Sequence, residues 1–317
     1  MTAVARPEGS QAVPRPSVGV VIGVRDRPDA VRRAIRSVLS QAYPGRIECF
    51  VVFDRGAAFD LGDVAPPEGG DRVLRVIEEP RSSGLAGAWN GGAERVFGDL
   101  LAFGTEEDEW RPEKLARQVD ALEASGADVA VTGVEIVRAG ASDTKVPVDP
   151  SVSPQSVLHS RPTELHPTTV LVRSEAFAST IGPMDESIPG GYGAGIEWLL
   201  RAATAGEVVA VRSPLVSIHR SVDPSDTDWR TVAEAIAFRA SKQPALLADR
   251  RSAARLFGRL AFAEAALGHA ASARGWAMRS IRRRPVERRP YLALAVTTGI
   301  VAAGRVEAWA RRIGRGI

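Results

Sequence analysis

The chain opens its patterned region with an unbroken apolar run, VGVVIGV over Val18–Val24, the mark of a strand buried on both faces. Arg25-Asp26-Arg27-Pro28-Asp29 follows, where acidic residues and a proline announce a helix. Ala30, Val31, Ala34, Ile35 and Val38 then recur at helical spacing. Further strands are expected at residues 47–53, 73–77 and 100–103, with a glycine-rich helical start at 84–96 between the last two. Residues 112–124 give a helix that opens with Pro112 and closes at Ser125-Gly126. Strands alternating with helices imply right-handed crossovers and a largely parallel sheet.

The second half is more mixed. Residues 128–137 and 168–173 read as strands, 196–204 as a helix, and 208–218 as a strand broken by Pro214. After Trp229 the pattern is helical, with breaks near Pro244, Gly268, Pro285 and Pro290. Residues 261–285 have the small-residue spacing, central glycine and closing proline of a tetratricopeptide helix pair, a pattern that an ordinary helical hairpin shares.

With 317 residues, 44% hydrophobic and 25% charged, the chain can bury a large core, which excludes disordered, collagen-like and disulfide-scaffold classes. Only Lys114, Lys145 and Lys242 are lysine among 41 basic residues, an arginine excess that reads as coding bias. The net charge of +3 hides an asymmetry: residues 250–317 carry 15 arginines against three glutamates, while the remainder has 26 basic and 35 acidic residues. Two differently charged regions are therefore expected, an acidic one and a basic helical one. Cys49 is the single cysteine, so no internal disulfide forms, which suits a reducing cytosol. Residues 1–16, rich in Pro, Gly and Ala, are expected to be a disordered leader and not a signal peptide. The longest apolar stretch has 14 residues, 291–304, short of the ~20 that span a bilayer.

In an open parallel sheet ligands bind beyond the carboxyl ends of the strands. Two acidic features fall there: Asp54, and the cluster Glu106-Glu107-Asp108-Glu109. Four successive carboxylates repel, and either a divalent cation or open solvent around an acidic turn relieves the repulsion. Gly84-x-x-Gly87 lacks the glycine fingerprint of a dinucleotide fold, and His159 with His166 make no zinc set. Gly190-Gly191-Tyr192-Gly193, without a following Lys-Ser/Thr, reads as a flexible acceptor loop, while Trp110 and Trp198 read as packing residues.

The order of six segments carries a resemblance. These are VGVVIGV with Arg25-Asp26-Arg27-Pro28; Ser37-Val38-Leu39-Ser40-Gln41-Ala42-Tyr43-Pro44; Val51-Val52-Phe53-Asp54; Gly84-Leu85-Ala86-Gly87-Ala88-Trp89-Asn90; Thr105-Glu106-Glu107-Asp108-Glu109-Trp110-Arg111-Pro112-Glu113-Lys114-Leu115; and Gly190-Gly191-Tyr192-Gly193 with Glu197-Trp198-Leu199-Leu200-Arg201. Their succession resembles the family 2 inverting glycosyltransferases over roughly residues 17–221. That implies an α/β A-type nucleotide-sugar fold, a mixed and mainly parallel sheet flanked by helices, occupying residues 17–225, with an all-helical basic extension at 226–317.

The resemblance also implies roles. Val24 and Asp26 would line the nucleobase pocket and Asp54 would contact the base, with Asn90 also on the nucleotide. Thr105, Glu106 and Glu107 stand at the Asp-x-Asp position: Glu106 would hold the ribose, and Glu107, Asp108 and His219 a Mg²⁺ or Mn²⁺ that stabilises the leaving diphosphate. Arg220 would meet phosphate, and His166-Pro167-Thr168-Thr169 would lie on the acceptor side. The chain departs from the pattern in three places. Ala194 and Gly195 replace the Glu-Asp pair that supplies the general base, leaving Glu197 as the nearest carboxylate, about 200° around the helix. Trp89 replaces an arginine, and Thr105 with Glu107 replace aspartates. The implied activity is inverting transfer from a nucleoside-diphosphate sugar to a saccharide or lipid-linked acceptor, weakened at the base. The alternative is an inactive relative that binds a nucleotide sugar or serves as a partner protein. The basic tail is expected to pack on the acidic domain or to meet an anionic membrane surface, placing the protein in the cytoplasm at the inner face of the membrane. Nucleic acid is disfavoured, since only Trp276, Tyr291 and Trp309 interleave with the arginines.

Overall fold

A computed structural model describes residues 14–54, 60–67, 71–79, 84–138, 141–159, 165–220 and 228–312. Most of the expected leader therefore lies outside the described residues. In chain order the elements of the first part are β1 (Val18–Val24), α1 (Pro28–Leu39), β2 (Ile47–Asp54), β3 (Arg72–Glu79), α2 (Leu85–Ala93), β4 (Leu100–Thr105), β5 (Asp108–Trp110), α3 (Lys114–Ser125), β6 (Val129–Arg138) and β7 (Ala141–Lys145). They are followed by α4 (Pro154–His159), β8 (Leu171–Arg173), α5 (Ser174–Ala178), α6 (Ala194–Ala205) and β9 (Val208–His219), with single 3-10 turns at Pro167–Thr169 and Pro189–Gly191.

One sheet runs in the order β3-β2-β1-β4-β8-β6-β9-β5, with β7 added on β6. The long pairings β1 with β2, β1 with β4, β2 with β3 and β6 with β9 are parallel, and the short pairings through β8, β5 and β7 are antiparallel. β1 is buried along its whole length because helices cover both faces of the sheet. On one face Val20 and Ile22 meet Val31, Ile35 and Val38 of α1 and Leu115, Val119 and Leu122 of α3. On the other, Val21 and Phe103 meet Trp89 of α2, Phe177 of α5 and Trp198 of α6. Each large apolar side chain so buried contributes about 1.5–3 kcal/mol. The glycines of α2 let it lie close to the sheet: a Cβ at Gly92 would sit 2.3 Å from Val21 Cγ1. α3 ends where expected, at Gly126 with φ of 73°.

Several local expectations need correction. Part of the acidic cluster is a strand, β5, paired with β9, and α3 begins two residues after Pro112. Residues 168–173 are a 3-10 turn followed by a three-residue strand. Pro214 does not break β9; the ladder absorbs it as a register shift opposite Gly133. β7, α4 and α5 are short pieces without a readable period.

The remainder is helical: α7 (Trp229–Lys242), α8 (Pro244–Ala248), α9 (Arg250–Ala266), α10 (Ala270–Arg283), α11 (Arg289–Thr297) and α12 (Ala303–Arg312). α9 and α10 form a helical hairpin around Gly268, with Ala261, Phe262, Ala273, Ala277 and, from α11, Ala293 between them. Pro290 does not interrupt a helix but lies in the first turn of α11, where a missing N–H costs nothing. These helices dock on the sheet domain: Ala235 of α7 joins the core on the α6 side, and His159 meets Asp249 at 3.0 Å. Among the described residues no helix is long and apolar enough to cross a membrane.

Candidate functional site

The register that pairs Gly23 with Thr105 and Val24 with Phe53 lines up the carboxyl ends of β1, β2 and β4 along one edge. There the acidic turn is clamped to the loop after β1. Glu106, 3% exposed, accepts the Arg25 backbone N–H on Oε2 and Arg27 Nε on Oε1, each at 2.8 Å. Arg27 Nη2 reaches on to Glu107 Oε1 at 2.9 Å. A buried carboxylate is tolerated only with such partners, so the guanidinium fixes both segments at once.

Asp108 turns inward. Its Oδ2 accepts the Thr105 N–H at 2.6 Å and hydroxyl at 2.8 Å, and its Oδ1 accepts Thr168 Oγ1 at 3.1 Å. Burial raises this carboxyl to about 6. Lys114 is fully buried with its ammonium 3.7 Å from the centre of the Trp110 ring, and burial lowers it to about 7. His166 Nδ1 meets Thr168 Oγ1 at 2.8 Å; burial first, and the positive charge of Arg220 second, lower its imidazole to about 3. At the neighbouring strand end His219 Nε2 meets Glu109 Oε2 at 2.7 Å and the His219 N–H donates to the Glu107 carbonyl at 2.8 Å.

The structure thus brings Asp26, Glu106, Glu107, His219 and Arg220 to one end of the sheet, with Asp54 at the end of β2 opposite Glu79. Other expected site residues are committed elsewhere. Val24 is a core residue, 1% exposed, so the loop offers Arg25 to Arg27 instead. Asn90 clasps the segment after α5: its Nδ2 donates to the Met184 carbonyl and Glu186 Oε1, and its Oδ1 accepts the Met184 N–H at 2.9 Å. Glu197 accepts Arg201 Nε at 2.9 Å, Arg201 Nη2 at 3.0 Å and Gln243 Nε2 at 3.1 Å, an ion pair facing α7. The position of the expected base is filled by packing. A Cβ on Gly195 would lie 2.4 Å from both Cβ and Cγ of Pro167 and 3.5 Å from the Trp89 ring, whose Nε1 donates to the Gly104 carbonyl.

The donor set also departs from what a divalent cation needs. Thr105 spends its hydroxyl on Asp108, Glu107 is paired with Arg27, and His219 with Glu109. Among the described residues no group of three or more His, Cys, Asp or Glu side chains is placed to hold a metal. As arranged, these residues do not present the cluster of free oxygens that Mg²⁺ or Mn²⁺ needs, because Arg27 holds Glu106 and one oxygen of Glu107 while Glu109 is taken by His219. Arg27 was not given a role from the sequence, because its contact with Glu106 lies 79 residues away along the chain.

The pattern of glycosyl transferase family 2 matches residues 19–177, half of the chain. The chain belongs to glycosyl transferase family 2. Among its relatives is the succinoglycan biosynthesis protein ExoO of Rhizobium meliloti, 32% identical over 122 residues; the match covers 38% of this chain and only 34% of that protein. Staphylococcus aureus TarS 1–349 in complex with UDP-GlcNAc superposes with a TM-score of 0.57 at 13% identity, covering 94% and 92% of the two chains. The mannosyltransferase PcManGT of Pyrobaculum calidifontis, in complex with GDP-Man and Mn²⁺, gives 0.54 at 16% identity over 96% and 92%. At such identities the likeness establishes the A-type fold, and family 2 membership rests on the sequence match.

Proposed function

We propose that this protein binds a nucleoside-diphosphate sugar at the carboxyl edge of β1, β2 and β4 and transfers the sugar, with inversion, to a saccharide or lipid-linked acceptor. The observation that carries the reading is the clamp of Glu106 on Arg25 and Arg27, which holds an acidic turn open at the edge where α/β sheets take ligands. Asp26 and Asp54 would bound the base. Glu107, which uses only Oε1 on Arg27, would accept a ribose hydroxyl with its other oxygen. Arg220, exposed at the end of β9, would meet the diphosphate. The UDP-GlcNAc and GDP-Man held by the two structural neighbours support this donor class. PcManGT carries Mn²⁺, but in this chain Arg27 stands among the carboxylates and no step is assigned to a metal.

A second reading, binding without transfer, is favoured by one observation: the Gly195 position has no room for the missing base. Measuring nucleotide release with a panel of UDP- and GDP-sugars separates the two. Release above the rate without protein supports transfer; donor binding without release leaves the binding reading. The arginine-rich helices, with Tyr291 and Trp309 exposed, support a peripheral position on an anionic membrane, which vesicle sedimentation at low salt tests. Equal sedimentation with neutral and anionic vesicles would remove that part.

A further inference from the structure

Three sources of positive charge converge where α7 and α9 meet the glycine loop ahead of α6. Gly193 is the N-cap of α6 with φ of 83°, and no side chain caps this end, so the first-turn amides are left at the positive pole of the helix without a side-chain acceptor. Arg239 of α7 lies against it: a Cβ on Gly193 would sit 2.4 Å from Arg239 Nη1 and 3.2 Å from Cζ. Arg239 Nε is shielded from solvent and has no hydrogen-bond partner among the described residues. Arg259 of α9 places its guanidinium 5.3 Å from the centre of the Tyr192 ring and donates through Nη2 to the Tyr192 hydroxyl.

The charged and titratable groups that act on Arg239 are Arg259, Glu197 and Tyr192. Glu197 is the one carboxylate among them, and both of its oxygens are engaged, by Arg201 and Gln243. Two guanidiniums and a helix N-terminus held together with Glu197 engaged elsewhere, and with only the neutral Tyr192 hydroxyl accepting from Arg259, repel one another, and partial burial removes the water that would screen them. A tetrahedral oxyanion relieves this, since it accepts from planar guanidinium forks and from helix amides together. We propose that Arg239, Arg259 and the amino terminus of α6 form a binding site for a phosphate group, carried by the acceptor. The loop that ends at Gly193 also packs on the start of α2, a Cβ on Gly84 lying 3.4 Å from the Gly190 carbonyl oxygen, so an occupied site would steady the loop between the two helices. The assignment to an acceptor rests on the transferase reading; the anion site does not.

The test is titration of the full chain with inorganic phosphate, followed by calorimetry and by the shift in melting temperature. Wild type should bind saturably. Arg239→Gln should weaken phosphate about tenfold and Arg259→Gln by several-fold, while donor-nucleotide affinity stays within about twofold. Arg239→Lys, which keeps the charge but not the fork, should fall between. Because each variant is compared with its own phosphate-free melting temperature, a general loss of stability does not imitate the result. A soluble sugar phosphate and vesicles containing phosphatidic acid, each competed against inorganic phosphate, distinguish a free phosphorylated acceptor from a lipid-borne one. No saturable phosphate binding below about 10 mM, or an Arg239→Gln protein that binds like wild type, would overturn the proposal. Phosphate binding without sugar transfer would keep the site and remove the transferase reading; transfer without phosphate binding would do the reverse.

Discussion

Substitution of Gly195 tests whether the base position is closed. In an alanine variant the new Cβ falls 2.4 Å from Pro167 Cβ and Cγ, about 1 Å short of carbon contact distance. Pro167 cannot swing aside, since its ring fixes the backbone. It also opens the 3-10 turn that carries Thr168, bonded to Asp108, and Thr169, whose carbonyl accepts Gln118 Nε2 at 2.8 Å. Displacement is therefore passed to a buried network. Overpacking costs about 1–3 kcal/mol, here toward the upper part of that range, about 2–3 kcal/mol, because the Pro167 ring is rigid; replacing a helical glycine offsets roughly 0.5–1 kcal/mol, so Gly195→Ala should lose about 1–2.5 kcal/mol. Gly195→Asp should lose more, because it buries a carboxylate as well. Urea unfolding of Gly195→Ala, Pro167→Gly and the double variant measures this: the double should recover most of the alanine penalty, a coupling that independent sites would lack. In the same preparations, Ala194→Glu with Gly195→Asp should not raise nucleotide release. A Gly195→Ala protein within about 0.5 kcal/mol of wild type, or transfer gained by the restored pair, would refute the reasoning.

Two further outcomes follow from the site. Because Arg27 already occupies the space between Glu106 and Glu107, donor-nucleotide affinity in EDTA and in Mn²⁺ should agree within about threefold; strict Mn²⁺ dependence by calorimetry would show that Arg27 gives way to a cation. His166, held neutral down to about 3 in the fold, titrates near 6.5 when unfolded, so the stability it contributes is present above that value and is lost as pH falls from 6.5 toward 3. Its share of the slope approaches about 1.4 kcal/mol per pH unit; His166→Gln should flatten acid unfolding curves below pH 6, and an unchanged slope would contradict the burial argument.

The half of the sheet that carries the site was readable because its strands are long and continuously apolar: β1, β2 and β4 had to be buried on both faces, and their order places Asp54 and the acidic turn at one edge. β5, β7 and β8 were not readable, since strands of three to five residues owe their pairing to neighbours and not to their own period. The substitutions at Ala194 and Gly195 were visible as residues, but only the fold shows Pro167 against Gly195. Glu106 and Glu107 were identified by position; that Arg27 joins them depends on a contact across 79 residues of chain, which no local pattern encodes. Arg239 and Arg259 were lost in a general arginine excess, and their significance comes from where α7 and α9 dock.

The central claim is that the clamped acidic turn forms a wall of a nucleotide-sugar pocket. Calorimetric titration of wild type and Glu106→Gln with UDP- and GDP-sugars tests it most directly. The amide keeps the volume of the side chain but has one acceptor oxygen where the carboxylate has two, so it cannot hold both the Arg25 N–H and Arg27 Nε, and the clamp is broken on one side. Saturable binding of one donor class by wild type, weakened about tenfold or more in Glu106→Gln, is the expected result. Absence of binding to every donor, or equal affinity in the two proteins, would contradict it.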